Sequence, residues 1–335
     1  MMSMATSGFP ESLTPYTARI PLLGQSAAMQ EVFRLIERVG PTEASVLLTG
    51  ESGSGKELAA QSIHESSMRR GGPFIAVNCG AIPAGLIEAE LFGYEKGSFT
   101  GAVRAHAGVF ERAQGGTLLL DEVTEMPLDM QTRLLRVLET RKFYRVGANV
   151  EFMSDVRVIA STNRCPLQAV QNGQLREDLL YRLAVFPVEL PPLRNRGSDV
   201  DLLAEHFLAE LNARARTQKR LSAMARMMLK QHTWPGNVRE LKNCIERAFI
   251  LADGTLELAP LIQNAQARGS DGNPRERLDI RVGSRIYDME RSLIEATLDY
   301  FEGNKRRAAD ALGCSLKTLY NKLNGYSQRQ ECASS

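Results

Sequence analysis

The sequence predicts an α/β fold: a parallel sheet, then a small helical unit and, further on, an all-helical C-terminal unit. Two observations support this prediction. Between Gly24 and about Leu190, short apolar segments alternate with helical patterns, which is typical of a parallel sheet. After 191-PPLRNR-196 only helical patterns follow. The Val, Ile and Leu content of the segments indicates strands buried on both faces, over 45–49, 74–78, 117–121, 156–162 and 185–190.

The chain has 335 residues, which is enough for two or three compact units. We divide it into a flexible leader, the α/β unit, a helical lid, a linker rich in Gly, Pro, Asn and Arg, and a C-terminal helical unit. The helices of the lid are expected near 199–214, 221–231 and 238–251. In the same order, the five predicted regions are 1–20, 21–190, 191–258, 259–285 and 286–335.

Composition excludes several classes of protein. The net charge is only +2, so any binding to nucleic acid requires a local basic patch. Five scattered cysteines without a CxxC pair favour a reducing compartment and exclude a disulfide framework or a zinc site of the usual spacing. The N-terminus lacks the apolar stretch of a secretory signal, and no apolar run approaches the roughly 18 residues of a membrane span. We therefore expect a cytoplasmic protein with no membrane span.

The segment 50-GESGSGKE-57 fits the phosphate-binding pattern G-x-x-x-x-G-K between a strand and a helix. Backbone N–H groups of such a loop cradle phosphate oxygens, and Lys56 would reach the β- and γ-phosphates. The alternative is a glycine-rich turn without a ligand. Glu57 stands where the pattern has Ser or Thr, so a hydroxyl ligand for Mg²⁺ is missing. The predicted nucleotide-binding residues are Gly50, Glu51, Ser52, Gly53, Ser54, Gly55, Lys56 and Glu57.

Two adjacent carboxylates end the apolar strand in 115-GGTLLLDE-122. The carboxyl ends of parallel strands line the ligand crevice of such a sheet. Asp121 is therefore the expected Mg²⁺ partner, directly or through water, and Glu122 is placed to orient the attacking water. Both residues are also predicted to bind the nucleotide. The alternative is a strand that merely ends in an acidic turn.

With these motifs the chain resembles the bacterial enhancer-binding proteins, the AAA+ activators of sigma-54 RNA polymerase, also called the nitrogen-regulator-C family. The resemblance covers about 20–255 and 286–326. It implies the AAA+ P-loop fold with its lid, ATP and Mg²⁺ as cofactors, and a ring, expected to be a hexamer. The segments that carry it occur in family order: GESGSGKE, VNC, ELFGYEKGSFTGA, GGTLLLDE, RLLRVLE, ASTNR, LREDLLYRL, LPPLRNR and WPGNVRELKN.

The resemblance also implies roles for single residues. Asn78 matches the switch residue that holds Glu122 until the γ-phosphate is sensed, and Asn163, with Thr162, matches the first sensor. Without the resemblance, a turn or capping role would be favoured for both asparagines. The paired arginines supplied by a neighbouring subunit match Arg176 and Arg182, and spacing does not decide which is the main finger. A helix face of ion pairs is the alternative for these two. The second sensor, which contacts the nucleotide from the lid, matches Arg239.

A loop with regularly spaced glycines surrounds one aromatic residue in 93-GYEKGSFTGAV-103. GSFTGA resembles the GAFTGA loop of the family, with Ser98 in place of alanine. In the family this loop rises from the ring when nucleotide is bound and contacts sigma-54. We therefore expect an exposed Phe99, and the alternative is a buried anchor. The predicted contacts with sigma-54 are Gly97, Ser98, Phe99, Thr100, Gly101 and Ala102.

Two short helical patterns separated near Gly313 in 304-NKRRAADALGCSLKTLYNKLNGY-326 predict a helix-turn-helix. Five basic residues against a single acidic one provide the local positive charge that DNA binding needs. The alternative is a helical hairpin with a solvated basic face. The segment resembles the factor-for-inversion-stimulation type of domain. Its expected core is Ala308, Ala309, Leu312, Leu316, Leu319 and Leu323, and its candidate DNA contacts are Lys305, Arg306, Arg307, Ser315, Lys317, Thr318, Asn321 and Lys322.

These features predict an ATP-driven activator that binds enhancer DNA as dimers and remodels the closed complex of the sigma-54 RNA polymerase holoenzyme. About 20 residues precede the ATPase unit, so we expect no receiver domain. Control would then come from expression level or from a regulatory protein in trans. Two rival functions are another AAA+ remodeller, which GSFTGA disfavours, and a regulator of ordinary polymerase with a vestigial ATPase. The intact Lys56, Asp121 and Glu122 disfavour the second.

Overall fold

The computed structural model describes residues 22–258, 286–301 and 304–323, which belong to two units, Met1–Leu258 and Ala259–Ser335. The predicted leader and the predicted linker lie outside the described residues. Within the described ranges, no helix is both long enough and apolar enough to cross a bilayer.

The first unit alternates strands and helices up to a helical end. In chain order its elements are α1 (Ala27–Val39), β1 (Val46–Thr49), α2 (Lys56–Glu65), β2 (Phe74–Asn78), α3 (Ile87–Phe92), β3 (Gly93–Tyr94), β4 (His106–Ala107), α4 (Val109–Arg112), β5 (Thr117–Asp121), α5 (Leu128–Thr140), β6 (Lys142–Tyr144), β7 (Glu151–Met153), β8 (Arg157–Thr162), α6 (Pro166–Gln171), α7 (Glu177–Leu183), β9 (Phe186–Glu189), α8 (Asp199–Ala215), β10 (Arg220–Leu221), α9 (Ala223–Gln231), α10 (Asn237–Leu251) and β11 (Thr255–Leu256).

Five of these strands form one parallel sheet in the order β2-β5-β8-β1-β9. Successive residues of a strand face opposite sides of a sheet. Leu118 and Leu120 of β5 accordingly pack in one core cluster, whereas Leu119 between them packs in the other. The sheet is therefore covered on both faces, and the predicted α/β fold class is confirmed.

The positions of the five strands agree with the sequence prediction to within one residue at each end. The two short antiparallel hairpins, β3–β4 and β6–β7, were not predicted. Strands of two or three residues contain too few positions for an alternation of apolar and polar residues to be visible. The hairpin β3–β4 flanks the GSFTGA loop, which thus lies between the end of α3 and the start of α4.

The lid of the first unit consists of α8, α9 and α10, close to the three predicted helical segments. Ser222 begins α9 because its side chain accepts a hydrogen bond from the Ala225 backbone N–H. Trp234 is 2% exposed, and its indole N–H donates to the Leu229 carbonyl at 2.9 Å, so the link between α9 and α10 is anchored in the lid itself.

The second unit contains a helix over Ile286–Tyr300, a helix over Lys305–Ala311 and a third helix over 316–323. Its described core consists of Ile294, Ala308, Ala309 and Leu319. Gly313, in the turn, has a φ of 65°, a left-handed conformation that glycine adopts readily. Leu316 was expected in this core but is 41% exposed. It lies in the first turn of the third helix, at the edge of the hydrophobic face.

Candidate nucleotide site and interaction surfaces

The phosphate loop connects β1 to α2 and has the backbone that a cradle of N–H groups requires. Gly50, Gly53 and Gly55 have φ values of 148°, 75° and 104°. A Cβ on Gly53 would lie 2.4 Å from the Gly236 carbonyl oxygen, so this position also needs glycine for space. The N-terminus of α2 begins directly at Lys56, which adds the positive end of a helix dipole to the loop.

The side chain of Lys56 binds back to the residues at the start of this loop. Its ammonium donates to the Gly50 carbonyl at 2.8 Å and to the Glu51 carbonyl at 3.3 Å. Burial lowers the pKa of Lys56, and the nearby Glu122 and Asp121 oppose that effect. The side chain is thus held beside the loop, close to the two acids at the end of β5.

Asp121 and Glu122 have different surroundings although they are adjacent in the chain. Asp121 ends β5 and accepts a hydrogen bond from the Ser161 hydroxyl of β8. Glu122 has a left-handed backbone with a φ of 55°, and its carboxylate accepts from the Asn163 backbone N–H at 3.4 Å. Burial raises the pKa of Glu122, which Lys56 partly offsets. A raised pKa suits a group that receives or orients a proton.

The predicted switch residue has a different partner from the one expected. The Asn78 amide donates to Asp121 at 3.4 Å, and its oxygen accepts from the Gly80 and Ala81 N–H groups. This follows from register, because Asn78 of β2 lies directly opposite Asp121 of β5. Glu122 is one residue further and turns toward β8. In this conformation the switch residue therefore holds the first carboxylate, and the amide would have to be redirected to reach Glu122.

The lid supplies the opposite wall of the site. The Arg239 guanidinium donates to the Ser52 hydroxyl at 3.0 Å, and the Val238 N–H donates to the Gly53 carbonyl at 3.0 Å. Lid and loop enclose a cavity of about 400 Å³. Its lining includes Ser52, Gly53, Ser54, Gly55, Lys56, Glu57, Asp121, Glu122 and Arg239, together with Leu22, Leu23, Leu58, Gln61, Arg196, Leu203, His206, Phe207, Val238 and Lys242.

Glu51 connects the loop to the lid in a way that the sequence did not suggest. Arg194 binds the Glu51 carboxylate with two nitrogens, at 2.9 and 2.5 Å, and the Asn237 amide donates to the same group at 3.1 Å. These hydrogen bonds, with that of Arg194 the largest effect, lower the pKa of Glu51 to about 2. Fully buried Asn237 also donates to the Ser52 carbonyl and accepts from the Leu193 N–H.

Arg196 is a second residue that the sequence analysis missed. It is 1% exposed, and its guanidinium donates to the Ser54 carbonyl at 2.5 Å and to the Pro191 carbonyl at 2.8 Å. Burial lowers the pKa of Arg196 to about 10. The available signal was the segment 191-PPLRNR-196, in which two prolines that restrict the backbone are followed closely by two arginines.

The two candidate finger arginines do not line this cavity. Arg176 directly precedes α7, and its guanidinium pairs with Asp178, at 3.0 and 2.7 Å, on an exposed surface. Arg182 donates to the Leu138 carbonyl at 2.9 Å. Within one chain both arginines are therefore separate from the nucleotide cavity.

The GSFTGA loop is a tight turn with an exposed tip. The Gly97 N–H donates to the Ala102 carbonyl at 2.8 Å, and the Ala102 N–H donates to the Phe99 carbonyl at 3.1 Å. Phe99 is 41% exposed, with its ring 4.9 Å from that of Tyr94 in an edge-on contact. Ser98 lies against Gly147, and its buried hydroxyl has no partner among the described residues. Phe99 is thus not a core residue of this unit.

The candidate DNA contacts of the second unit are exposed, with one exception. The exposed residues are Lys305, Arg306, Arg307, Ser315, Lys317, Thr318 and Asn321. Lys322 is half-buried and donates to Glu290 of the helix Ile286–Tyr300 at 2.5 Å. Lys305 lies 4.7 Å from the centre of the Tyr320 ring, in cation–π geometry. Glu290 lies outside 304–326, so the charge balance of that segment did not include it. The local positive charge is therefore lower than the sequence suggested.

Comparisons with known families cover most of the chain. Residues 22–189 match the sigma-54 interaction domain, residues 194–277 match the AAA+ ATPase lid domain, and residues 286–326 match the bacterial regulatory protein Fis family.

Individual relatives agree with these matches. FlbD of Caulobacter vibrioides, a transcriptional regulatory protein, is 45% identical over 92% of this chain and 70% of its own length. NtrC of Rhizobium meliloti, a DNA-binding transcriptional regulator, is 42% identical over 91% of this chain and 69% of its own. Among solved structures, NtrX from Brucella abortus in complex with ATP superposes with a TM-score of 0.68 at 35% identity, covering 91% of this chain and 68% of NtrX.

Proposed function

Because the chain belongs to the family of the sigma-54 interaction domain, with an AAA+ lid and a Fis-family helix-turn-helix, we propose that it acts as an ATP-driven ring on sigma-54 polymerase from an upstream enhancer. Family membership makes the chain a sigma-54-dependent transcription activator with an ATPase and a DNA-binding domain. The ring, the enhancer and the remodelling loop are the proposed part. One observation carries it: Lys56, Asp121, Glu122 and Arg239 line one cavity, and the exposed Phe99 lies outside that lining.

The residues of the loop fit a triphosphate. The buried Ser54 hydroxyl has no partner among the described residues. The left-handed glycines give the loop the kind of backbone that can turn N–H groups toward an anion. Lys56 would exchange its two carbonyl partners for the β- and γ-phosphate oxygens, since an ammonium gains more from an anion than from a neutral carbonyl. Arg239 would leave the Ser52 hydroxyl for a phosphate oxygen in the same way.

The donor set also fits Mg²⁺. Carboxylate oxygens and water are the ligands that this ion prefers, and Asp121 would hold it directly or through a water. When bound, the ion neutralises charge that develops on the phosphate oxygens. Glu57 is exposed at the start of α2 and cannot supply the hydroxyl ligand usual at its position.

Glu122 would orient the attacking water, and its half-buried carboxyl with a raised pKa supports this role. The Asn163 backbone N–H fixes one of its oxygens. Asn78 would move from Asp121 to Glu122 when the γ-phosphate leaves, because an amide can donate to either carboxylate. The side chain of Asn163, which is exposed, would sense that phosphate.

The finger arginines are supplied between subunits. Arg176 and Arg182 lie outside the cavity of their own chain, so they would act on the site of a neighbour in a ring, which we take to be a hexamer. A guanidinium supplied in this way stabilises the charge on the transferring phosphoryl group and increases the rate of hydrolysis by a factor of roughly 10³–10⁵. Arg176 would first have to leave Asp178.

The remaining surfaces would connect the motor to its partners. Gly97 to Ala102 would carry Phe99 against sigma-54 when nucleotide is bound. The helix-turn-helix would tether the ring to enhancer DNA as dimers, with its exposed basic residues on phosphates. Control would come from a regulatory protein in trans or from the level of the protein.

Open-complex formation on a sigma-54 promoter, with purified chain and polymerase, tests this function. We expect the wild type to form open complexes only with hydrolysable ATP, and a Lys56→Ala variant to form none. A chain that ends at Leu258 should keep ATPase activity but lose binding to enhancer DNA. ATP-independent opening, or enhancer binding without the second unit, would contradict the proposal.

A further inference from the structure

A buried side-chain amide connects the segment that follows β5 to the segment that precedes α7. Gln131 of α5 is 0% exposed. Its Nε2 donates to the Met126 carbonyl at 2.9 Å and to the Gln174 carbonyl at 2.8 Å. Its Oε1 accepts from the Arg176 backbone N–H at 2.9 Å. The amide thus uses its nitrogen twice and its oxygen once, each time on a backbone group.

The two segments that Gln131 joins have different places in the proposed site. Met126 lies four residues after Glu122, and Arg176 carries one of the two candidate finger guanidiniums. Leu175, beside Arg176, is 3% exposed, so this segment is attached to the core, whereas the Arg176 side chain is 40% exposed and pairs with Asp178. The backbone of Arg176 is therefore fixed, and its side chain lies at the surface.

The position of that backbone decides which atoms the guanidinium can reach, because several rotatable bonds separate the two. A displacement of about 1 Å at a catalytic group can lower a rate by about 10². A buried amide with three hydrogen bonds has one arrangement of low energy, since each buried polar group left unpaired destabilises the fold. Gln131 thus has the geometry of a support for Arg176.

We propose that Gln131 is a positioning residue for ATP hydrolysis: it fixes the backbone from which the Arg176 guanidinium reaches the site of a neighbouring subunit. This rests on the proposed function in so far as Arg176 acts on a neighbour. Gln131 does not line the nucleotide cavity of its own chain, so its effect on the reaction passes through Arg176. The competing role is purely structural, namely to pair the backbone groups of a buried segment.

The kinetic constants of a Gln131→Met full chain distinguish the two roles. Methionine keeps the length of the side chain and removes all three hydrogen bonds. We expect ATP to bind with unchanged affinity in calorimetry, and kcat to fall by about 10–100-fold, because the finger stabilises the transition state rather than bound ATP.

Ile36→Ala is the control for lost stability. It truncates a buried side chain of α1, in the core cluster on the face of the sheet opposite to that of α5. Its melting temperature should fall, as that of Gln131→Met should, but its kcat should stay at the wild-type level.

A double variant separates positioning from a structural role. Arg176→Ala alone should lower kcat by about 10³ or more. If Gln131 acts through this guanidinium, Gln131→Met should lower kcat no further in the Arg176→Ala background.

Gln131→Glu is a milder change that carries the same test if Gln131→Met does not fold. Burial keeps a carboxyl at this position protonated, so it still accepts from the Arg176 N–H and donates to one of the two carbonyls. Its kcat should lie between those of the wild type and Gln131→Met.

Mixed assemblies show whether the effect acts on a neighbour. A Lys56→Ala chain binds no nucleotide in the proposed function, so it contributes to hydrolysis only through the finger that it supplies. An equimolar mixture of wild type with Lys56→Ala/Gln131→Met should hydrolyse ATP about half as fast as one with Lys56→Ala, since about half of the wild-type sites receive the displaced finger. A mixture with Lys56→Ala/Arg176→Ala gives the full effect of losing that finger.

Thermal melting checks that each variant is folded. A folded Gln131→Met chain with the wild-type kcat, or a further loss of kcat in the Arg176→Ala background, would overturn the inference and leave the proposed function intact. So would a Lys56→Ala/Gln131→Met mixture that matches Lys56→Ala while the Arg176→Ala mixture is slower. Wild-type turnover by Arg176→Ala, or equal turnover in all three mixtures, would refute the finger role of Arg176 and the inference with it.

Discussion

The phosphate loop and the GSFTGA loop both have glycines in left-handed conformations, and the two loops differ in what surrounds them. In the phosphate loop, a Cβ on Gly50 would lie 2.7 Å from the Leu190 carbonyl, and one on Gly53 would lie 2.4 Å from that of Gly236. In the GSFTGA loop, Gly97 and Gly101 have φ values of 83° and 109°, but no described atom lies within 4 Å of a Cβ at either.

The same residue type thus meets two different requirements. The phosphate loop is enclosed by the lid, so glycine provides space as well as backbone conformation. The GSFTGA loop is open, so glycine provides conformation alone and leaves room for a partner to approach. Enclosure suits a loop that must exclude water around a phosphate, and openness suits a loop that must contact another protein.

The largest expected effect is on ATP hydrolysis at the site beside the phosphate loop. Glu122→Gln should retain ATP binding and reduce turnover by about 10²–10⁴, because an amide cannot accept a proton from water. The variant should also trap the ATP-bound state and retain sigma-54 on the open loop. Calorimetry, phosphate release and a sigma-54 pull-down measure these three properties. Turnover at the wild-type rate would remove Glu122 from the mechanism.

The second largest expected effect is on the binding of sigma-54 by the GSFTGA loop. Phe99→Ala should reduce nucleotide-dependent binding of sigma-54 by at least about tenfold, since an exposed aromatic is a typical interface anchor. ATPase activity should persist, and the free energy of unfolding should fall by only about 1 kcal/mol, the contribution of one edge-on aromatic pair. A much earlier melting transition would make Phe99 a core residue. Val103→Ala, an equally apolar truncation at an 80% exposed neighbour, is the control.

A matched pair of glycine substitutions tests the comparison directly. Gly53→Ala should destabilise the chain by about 3 kcal/mol or more, because strain is added to a steric clash with a carbonyl. Gly97→Ala should lower the free energy of unfolding by only about 1–2 kcal/mol, because only the left-handed backbone is strained. Chemical denaturation of both variants measures the difference. Equal losses would mean that the space around the two loops is not what distinguishes them.

The smallest effect is a pH dependence at the enclosed loop. The pKa of Glu51 is about 2 against an ordinary 4.5, so its ionised form stabilises the folded chain above pH 4.5, and this contribution is lost as the pH falls toward 2. The melting temperature of Glu51→Gln should therefore fall less steeply between pH 4.5 and 3 than that of the wild type. The exposed Glu139→Gln serves as control, and identical slopes for wild type and Glu51→Gln would contradict the Glu51–Arg194 contact.

The sequence predicted the sheet because strands buried on both faces contain almost only apolar residues, as 117-TLLLD-121 does. It also located the phosphate loop and the two carboxylates, since their spacing along the chain is local. It did not predict the partner of Asn78, which depends on strand register. The exposure of Leu316 was not predicted, because a helical repeat does not specify where the hydrophobic face of a helix ends.

The contacts that connect the phosphate loop to the lid were not predicted, for a different reason. Glu51 contacts Arg194 and Asn237, which are 143 and 186 residues away along the chain. No local pattern marks such pairs, and each residue taken alone reads as an ordinary surface or capping residue.

The bonds of Asn237 have a consequence for the lifetime of a bound nucleotide. This one amide holds Ser52, Glu51 and Leu193 together, so the lid cannot lift away without pulling on the loop that would grip the phosphates. We therefore expect product departure to be coupled to lid opening. A residue that does not line the nucleotide cavity would in this way set the residence time of ADP, and with it the pace at which each subunit of a ring becomes ready for the next turnover.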